Sequence, residues 1–195
     1  MSSQRPSKPG GNFPLPSASS QSLLALRCAP AIRPYLAEDV SSPAGILIDA
    51  PVVYYEIANA KPIRLTCDDT TLDVTVSLNG QTLATGSVPL NATAYELSFS
   101  LEGITPQMTA YNISCEATYA ATSQTFSTTA ALSVLPNPTN GSATKMDLRT
   151  GVLLARPATG SGGAYEPVFP IGFYTNFGGY LTSNLSVINE LKEQG

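Results

Sequence analysis

The sequence predicts a mainly β protein, in which an antiparallel β-sandwich is followed by one strand and one helix of the βα type. Apolar residues are concentrated between residues 46 and 135 of the 195, in short runs that alternate with polar residues at a period of two. About seven such runs follow one another at intervals of roughly 8–12 residues, with no helical period between them, which is typical of a sandwich. A continuous apolar run at 168–175 is then followed by a helical stripe, the order of a βα unit.

The first part of the chain carries no such pattern. Residues 1–22 are rich in Ser, Pro and Gly and have too little apolar content to offset the entropy cost of ordering, so we expect a disordered leader. The segment 23–45 is interrupted by Pro30, Pro34 and Pro43 and is predicted to be irregular.

The region 46–135 is predicted to form the sandwich. Its first two strands are separated by Asp49-Ala50-Pro51 and are expected to pair, and Asn79-Gly80 is the strongest hairpin signal in the chain. The predicted strands are 46–48, 52–56, 63–67, 72–78, 81–85, 95–101, 111–117 and 124–135.

Three cysteines are present, and the absence of a CxxC pair excludes the usual structural zinc patterns. The alternation places Cys67 and Cys115 on the inward faces of their strands, where a disulfide between two sheets would lie. We therefore expect a Cys67–Cys115 disulfide. Cys28 is then left over, or pairs with a cysteine that this sequence does not contain.

Four N-glycosylation sequons, at Asn91, Asn112, Asn140 and Asn184, indicate a secreted, extracellular glycoprotein, and the alternation turns Asn112 outward. Residues 1–22 nevertheless lack the apolar core of a signal peptide. Either the leader is missing from the gene model, or the secretory interpretation is wrong.

The composition excludes several functions. The chain has no histidine, which removes the commonest metal ligand and the usual general base at neutral pH, so any catalysis by this chain itself would depend on carboxylates alone. No catalytic residue, metal or cofactor is assigned. Only 12% of residues are charged and the net charge is −4, so there is no basic stripe for a nucleic acid. No membrane-spanning segment is expected.

Residues 136–164 are predicted to be a linker that contains a strand at Val152-Leu153-Leu154 and a flexible turn at Gly160-Ser161-Gly162-Gly163. The segment 165–195 follows, with a strand and then a helix whose stripe is Leu185, Ile188 and Leu191.

The segment 62–135 resembles an immunoglobulin-like domain, because it has a cysteine on a B-type strand, a central hairpin and Tyr111–Ala117 in place of the F strand. It departs from antibody-type domains in having no Trp and in having Ile113, not Tyr, two residues before Cys115.

The segment 165–195 resembles the first strand and helix of the (β/α)8 barrel of glycoside hydrolases, on the residues Phe169-Pro170-Ile171-Gly172-Phe173-Tyr174. In that family an immunoglobulin-like domain often precedes the barrel, and the catalytic carboxylates lie on the fourth and seventh strands, beyond this chain. The resemblance implies that Tyr174 and Asn176, at the end of the first strand, contact a sugar; the alternative is that Tyr174 packs under the second strand.

These observations predict the non-catalytic N-terminal ancillary region of a secreted glycoside hydrolase-like protein, inactive by itself. Its partners would be the missing C-terminal barrel and a carbohydrate. Two alternatives remain open: an immunoglobulin-like adhesion or recognition module at the cell surface, and a truncated gene product with no independent role.

Overall fold

A computed structural model of the chain describes residues 15–67, 70–140, 143–156, 163–169, 184 and 186–194. This part of the chain is mainly β, with one α-helix, α1 (Val187–Gln194), and two short 3-10 helices, Ala37–Ser41 and Ala120–Thr122. The strands that it contains are β1 (Ala18–Leu24), β2 (Arg27–Pro30), β3 (Ile32–Arg33), β4 (Tyr35–Leu36), β5 (Ala44–Asp49), β6 (Val52–Tyr55), β7 (Lys61–Pro62), β8 (Thr71–Leu78), β9 (Gln81–Pro89), β10 (Tyr95–Phe99), β11 (Tyr111–Tyr119), β12 (Gln124–Leu132), β13 (Val134–Leu135), β14 (Lys145–Asp147), β15 (Val152–Ala155) and β16 (Glu166–Val168).

Two antiparallel sheets enclose the main hydrophobic core. One has the strand order β12-β11-β8-β9 and the other the order β10-β5-β2. Because the side chains of a strand alternate between its faces, β8 directs Val74 and Val76 inward and β5 directs Ile46 and Ile48 inward, all of them buried in one cluster. The predicted mainly β fold with antiparallel sheets is therefore confirmed.

The hairpin between β8 and β9 is formed at the predicted position. Asn79 and Gly80 both have positive φ angles, 51° and 81°, as a two-residue type I′ turn requires. This turn twists in the same sense as the flanking strands, which is why Asn-Gly is such a strong hairpin signal. The prediction of a hairpin at these residues is confirmed.

The disulfide differs from the prediction. Cys115 on β11 is bonded to Cys28 on β2, with a Cα–Cα distance of 6.7 Å, and the bond joins the two sheets of the core. Cys67 is an exposed free thiol. The predicted Cys67–Cys115 pair is wrong because the segment before β8 is irregular: its alternation holds for buried Ile63 but fails at Leu65, which is 43% exposed.

The N-terminal region is more ordered than predicted. β1 lies between β6 and β7 in a third sheet and buries Leu23 and Leu24. The predicted disordered leader, residues 1–22, is therefore wrong at 18–22, where β1 has already begun. The predicted irregular segment, 23–45, contains β2, β3, β4, a 3-10 helix and the start of β5.

The expected pairing of the first two sandwich strands is also wrong. β5 pairs with β2 and β10, whereas β6 pairs with β1 in the third sheet. The chain changes sheet at Ala50, whose N–H donates to the carbonyl of Ala92 and whose carbonyl accepts from the N–H of Asn91. These bonds to a distant loop take the place of a hairpin turn.

β14, β15 and β16 form a fourth sheet with β3, of order β16-β15-β14-β3, so the predicted linker at 136–164 contains two strands of a sheet, β14 and β15. β15 contains the predicted strand Val152-Leu153-Leu154, which is confirmed. β14 pairs with β3, with Met146 opposite Arg33 and Asp147 opposite Ile32, so this sheet includes a strand from the N-terminal part of the chain.

The predicted C-terminal strand and helix are described only in part. Val168 belongs to β16, at one end of the fourth sheet, and Val168 and Phe169 are 39% and 87% exposed. A strand buried on both faces is therefore not found at these two residues, and 170–175 lie outside the described residues. In α1 the predicted stripe residue Ile188 is exposed, whereas Val187 is buried.

The disulfide assignment makes a direct prediction. Denatured protein without reductant should show one reactive thiol, that of Cys67, and peptide mapping should recover a Cys28–Cys115 cross-link. Cys28→Ser should lower the free energy of unfolding by about 4 kcal/mol, because the bond closes a long loop. Urea unfolding of Cys67→Ser, the matched control, should change by less than about 0.5 kcal/mol. Three reactive thiols, or a Cys67–Cys115 cross-link, would contradict the assignment.

Candidate functional site

The main polar cluster of the described residues lies where the fourth sheet meets the sandwich. Lys145 on β14 is 4% exposed and is the buried charged residue of this part of the chain. Its ammonium donates to both carboxylate oxygens of Asp39, at 2.8 and 2.7 Å. Asp39, in the 3-10 helix after β4, also accepts from the N–H of Leu36 at 2.7 Å. The carboxylate is therefore held in place by local backbone as well as by the lysine.

A second ion pair lies beside the first. The guanidinium of Arg156, directly after β15, donates to the carboxylate of Glu38. The pKa of Arg156 is raised, mainly by this hydrogen bond. The backbone N–H of Glu38 in turn donates to the side-chain oxygen of Asn137 at 3.0 Å, so this turn of 3-10 helix is held on two sides.

A third cation, Arg149, forms ion pairs at the turn between β14 and β15. Arg149 contacts Asp147 at 3.0 Å and Glu96 of β10 at 3.2 Å, and its pKa is raised chiefly by the hydrogen bond to Asp147. Glu96 lies directly over Gly45, where a Cβ would overlap with the carboxylate. Glycine at this position therefore leaves room for the Glu96 side chain beside the arginine.

Tyr165 connects the first two pairs. The ammonium of Lys145 lies 3.9 Å from the centre of its ring and the guanidinium carbon of Arg156 lies 4.5 Å from it, which is cation–π geometry. Burial raises the pKa of the Tyr165 phenol, and its hydroxyl is buried without a hydrogen-bond partner among the described residues.

A small cavity of about 190 Å³ lies next to this cluster, and most of its wall is apolar. It is lined by Ile32, Tyr35, Asp39, Ser42, Pro43, Lys145, Leu154 and Tyr165. The hydroxyl of Tyr35 is occupied, because it accepts from the N–H of Gly45 and donates to the carbonyl of the same residue. The two charged groups at this cavity, Asp39 and Lys145, bind each other, so the arrangement fastens β14 to the 3-10 helix Ala37–Ser41 and leaves neither group free as an acid or a base.

The cluster was not among the sequence predictions. Asp39 and Lys145 are 106 residues apart, and each stands in a segment predicted to be irregular or a linker. The one sequence signal is the sign of the charges: Lys145, Arg149 and Arg156 are all cationic, and Glu38, Asp39 and Glu96 earlier in the chain are all anionic.

The predicted sugar-contact residues, Tyr174 and Asn176, lie outside the described residues. The four sequon asparagines, Asn91, Asn112, Asn140 and Asn184, are all exposed. Their glycosylation stays a prediction.

Three of these asparagines differ in their local contacts. The side-chain oxygen of Asn91 accepts from the N–H of Val52 at 2.9 Å, and that of Asn184 accepts from the hydroxyl of Ser186 at 2.8 Å. Asn112 lies on the outward face of β11, as predicted.

The described residues carry neither a metal site nor a membrane-spanning helix. Within them, no group of three or more Cys, Asp or Glu side chains is placed to hold a metal ion. No helix among them has the length and apolar character needed to cross a membrane.

No protein family, curated protein or solved structure matches the chain. What the protein does has to be inferred from its own residues and contacts.

The buried ion pair is tested by Asp39→Asn, which keeps the shape of the side chain but leaves the ammonium of Lys145 buried without a counter-charge. We expect the free energy of unfolding in urea to fall by about 2–4 kcal/mol. Glu96→Gln is the matched control, since its ion pair with Arg149 is partly exposed and should contribute less than about 1 kcal/mol.

The double variant Asp39→Asn, Lys145→Met should recover part of the loss, because it removes the uncompensated charge. If Asp39→Asn costs no more than Glu96→Gln, the buried pair does not fasten β14 to the 3-10 helix.

Proposed function

We propose that this chain is the non-catalytic N-terminal region of a secreted glycoside hydrolase-like protein, and that its sandwich supports and positions a C-terminal barrel. One observation carries the proposal. The segment that leads to the predicted barrel strand is fixed at three places: β14 pairs with β3, Lys145 and Arg156 bind the 3-10 helix Ala37–Ser41, and Arg149 binds Glu96 on β10 of the sandwich. A region that holds the next domain at a defined position is anchored in this way, whereas a flexible tether is not.

The strand order supports an immunoglobulin-like assignment for the sandwich. With β2, β5, β8, β9, β10, β11 and β12 taken as A, B, C, C′, E, F and G, the two sheets become A-B-E and C′-C-F-G. Immunoglobulin domains place A, B and E in one sheet and C, F and G in the other, and C′ extends the second.

A hydrogen bond at the start of β11 supports the same assignment. The hydroxyl of Tyr111 donates to the carbonyl of Thr105, six residues upstream, at 2.5 Å. This is the arrangement of the tyrosine corner, which joins the start of strand F to the preceding loop. Tyr111 stands four residues before Cys115 where the antibody pattern has two, and the disulfide reaches Cys28 on the first strand of its sheet.

The barrel relationship rests on the residues from Phe169 to Tyr174 and on the exposed side chains that precede them. Val168 ends β16 and is 39% exposed, and Phe169 directly after it is 87% exposed; a ring this exposed would be covered if the chain continues into a barrel. In the proposed barrel, Tyr174 and Asn176 contact the carbohydrate.

Two observations support secretion. A disulfide that joins two sheets is typical of proteins that fold in an oxidising compartment. The four sequon asparagines are exposed, so the folded chain can accommodate a glycan at each of them.

A second candidate function is the recognition module. It is favoured by the exposed outer face of the four-stranded sheet, which carries a shallow depression lined by Asn59, Ser114, Ser127, Thr128 and Thr129. A recognition function does not explain why the sheet of β14, β15 and β16 is anchored.

The proposed function is tested by reading the coding sequence beyond Gly195 and by expressing the chain with and without the downstream residues. We expect a short apolar strand immediately after Gly195, as a second barrel strand would be. The longer protein should release the chromophore from chromogenic glycosides, and the 195-residue chain should release none, because the catalytic carboxylates of such barrels lie on their fourth and seventh strands.

Two results would overturn the proposal. One is turnover by the 195-residue chain that disappears when one of its own carboxylates is changed, for example in Glu166→Gln. The other is a stop codon in the genomic and transcript sequence directly after Gly195.

A further inference from the structure

The outward face of the β12-β11-β8-β9 sheet is built mostly of hydroxyl side chains. The strand registers place sixteen residues on this face, and eleven of them are Ser or Thr. The eleven are Thr71, Thr75, Ser77, Thr82, Thr85, Ser87, Ser114, Thr118, Thr125, Ser127 and Thr129. The other five are Asp73, Pro89, Asn112, Glu116 and Ala131, so these sixteen positions hold no cation and no aromatic ring. The face is polar, and it has the chemistry to bind a neutral, hydroxylated molecule.

The depression on this face has the same character. Its volume is about 360 Å³, and it is lined by three outward residues, Ser114, Ser127 and Thr129, by Thr128 of the same strand, and by Asn59 from the turn after β6. Ser114 and Thr129 are direct cross-strand partners. Hydroxyl and amide groups both donate and accept hydrogen bonds, as the hydroxyl and acetamido groups of a sugar require, whereas a charged ligand would find no counter-charge in this lining.

Asn112 places a sugar attachment point beside this depression. It lies on the same face two residues before Ser114, which is about 7 Å along the strand. Its cross-strand partner is Ala131, whose methyl group leaves the space next to the amide open. The sequence Asn112-Ile113-Ser114 is a sequon.

We propose that an N-linked glycan on Asn112 folds back onto the sheet and places its first N-acetylglucosamine residues in the depression formed by Asn59, Ser114, Ser127 and Thr129. This inference rests on the secretory part of the proposed function and does not depend on the barrel. In the modification, the amide nitrogen of Asn112 bonds to C1 of a polyprenyl-diphosphate-linked oligosaccharide. The C1–O bond to the diphosphate breaks, the diphosphate leaves with the electron pair, and the amide loses one proton.

The docked glycan would cover the hydroxyl face next to β12, the terminal strand of its sheet. A terminal strand presents unpaired backbone groups to which another chain can add. The glycan would occupy the surface that the recognition alternative would need for a partner.

The test uses the full chain, secreted from a eukaryotic host that adds uniform oligomannose glycans. Peptide mass spectrometry gives the occupancy of Asn112 and Asn91, and an endoglycosidase that cuts between the two core N-acetylglucosamines gives the release rate at each. Release from Asn112 should be at least about tenfold slower in native than in denatured protein, a factor that corresponds to roughly 1.4 kcal/mol.

Two variants probe the lining, and one is their control. Thr129→Val removes a lining hydroxyl and keeps the β-branched shape, so native release should approach the denatured rate. Thr85→Val makes the same change on β9 of the same face, away from the depression, and should leave release slow. Asn59→Gly removes the lining amide without altering the sheet, and glycine suits the positive φ of 67° at that position.

Three results would overturn the inference alone: an empty Asn112 in protein that is glycosylated at Asn91, equal release rates in native and denatured protein, or equal rates in Thr129→Val and Thr85→Val. Protein secreted with no glycan at any sequon would overturn it together with the glycoprotein part of the proposed function. The barrel assignment is tested separately, by the coding sequence after Gly195.

Discussion

The buried ammonium of Lys145 constrains the C-terminal half of the described structure. A charge that is 4% exposed needs a counter-charge at hydrogen-bond distance, and Asp39 supplies it from a helix that belongs to the N-terminal part of the chain. β14 must therefore pack against the 3-10 helix that carries Asp39. Once β14 is fixed, β15 and β16 follow by antiparallel pairing, and the ion pairs of Arg149 and Arg156 hold the same sheet at two further points.

In the proposed function this constraint would give the sandwich a mechanical role. The two sheets of the core are joined covalently by Cys28 and Cys115, as a support for an attached domain would require. The charges are arranged by sign, with acids at 38, 39 and 96 and cations at 145, 149 and 156, and this complementarity favours one position of the fourth sheet.

The sequence alone predicts the strands that have a strong local alternation of apolar and polar residues. β8, β9, β10, β11 and β12 are long strands with one buried face, and their alternation and the Asn79-Gly80 turn predict them well. β2, β3, β4 and β14 have only two to four residues each and are stabilised by partners far along the chain, so no local period marks them. The disulfide was mispredicted for a related reason: three alternating positions at 63–67 cannot distinguish a strand from an irregular segment, and Cys28 lies on a strand that the pattern did not reveal.

Amide hydrogen exchange tests the anchored fourth sheet most directly. If β14 is fixed to the sandwich, the amides of Met146 and Leu154 should be protected to within about tenfold of those in the core strand β5, and Asp39→Asn should remove protection in β14 and β15 while β8 and β9 keep theirs. Exchange of Met146 and Leu154 at the rate of unstructured chain in the unmodified protein would contradict this account, because β14 and β15 would then not be anchored and the proposed positioning role would have no basis.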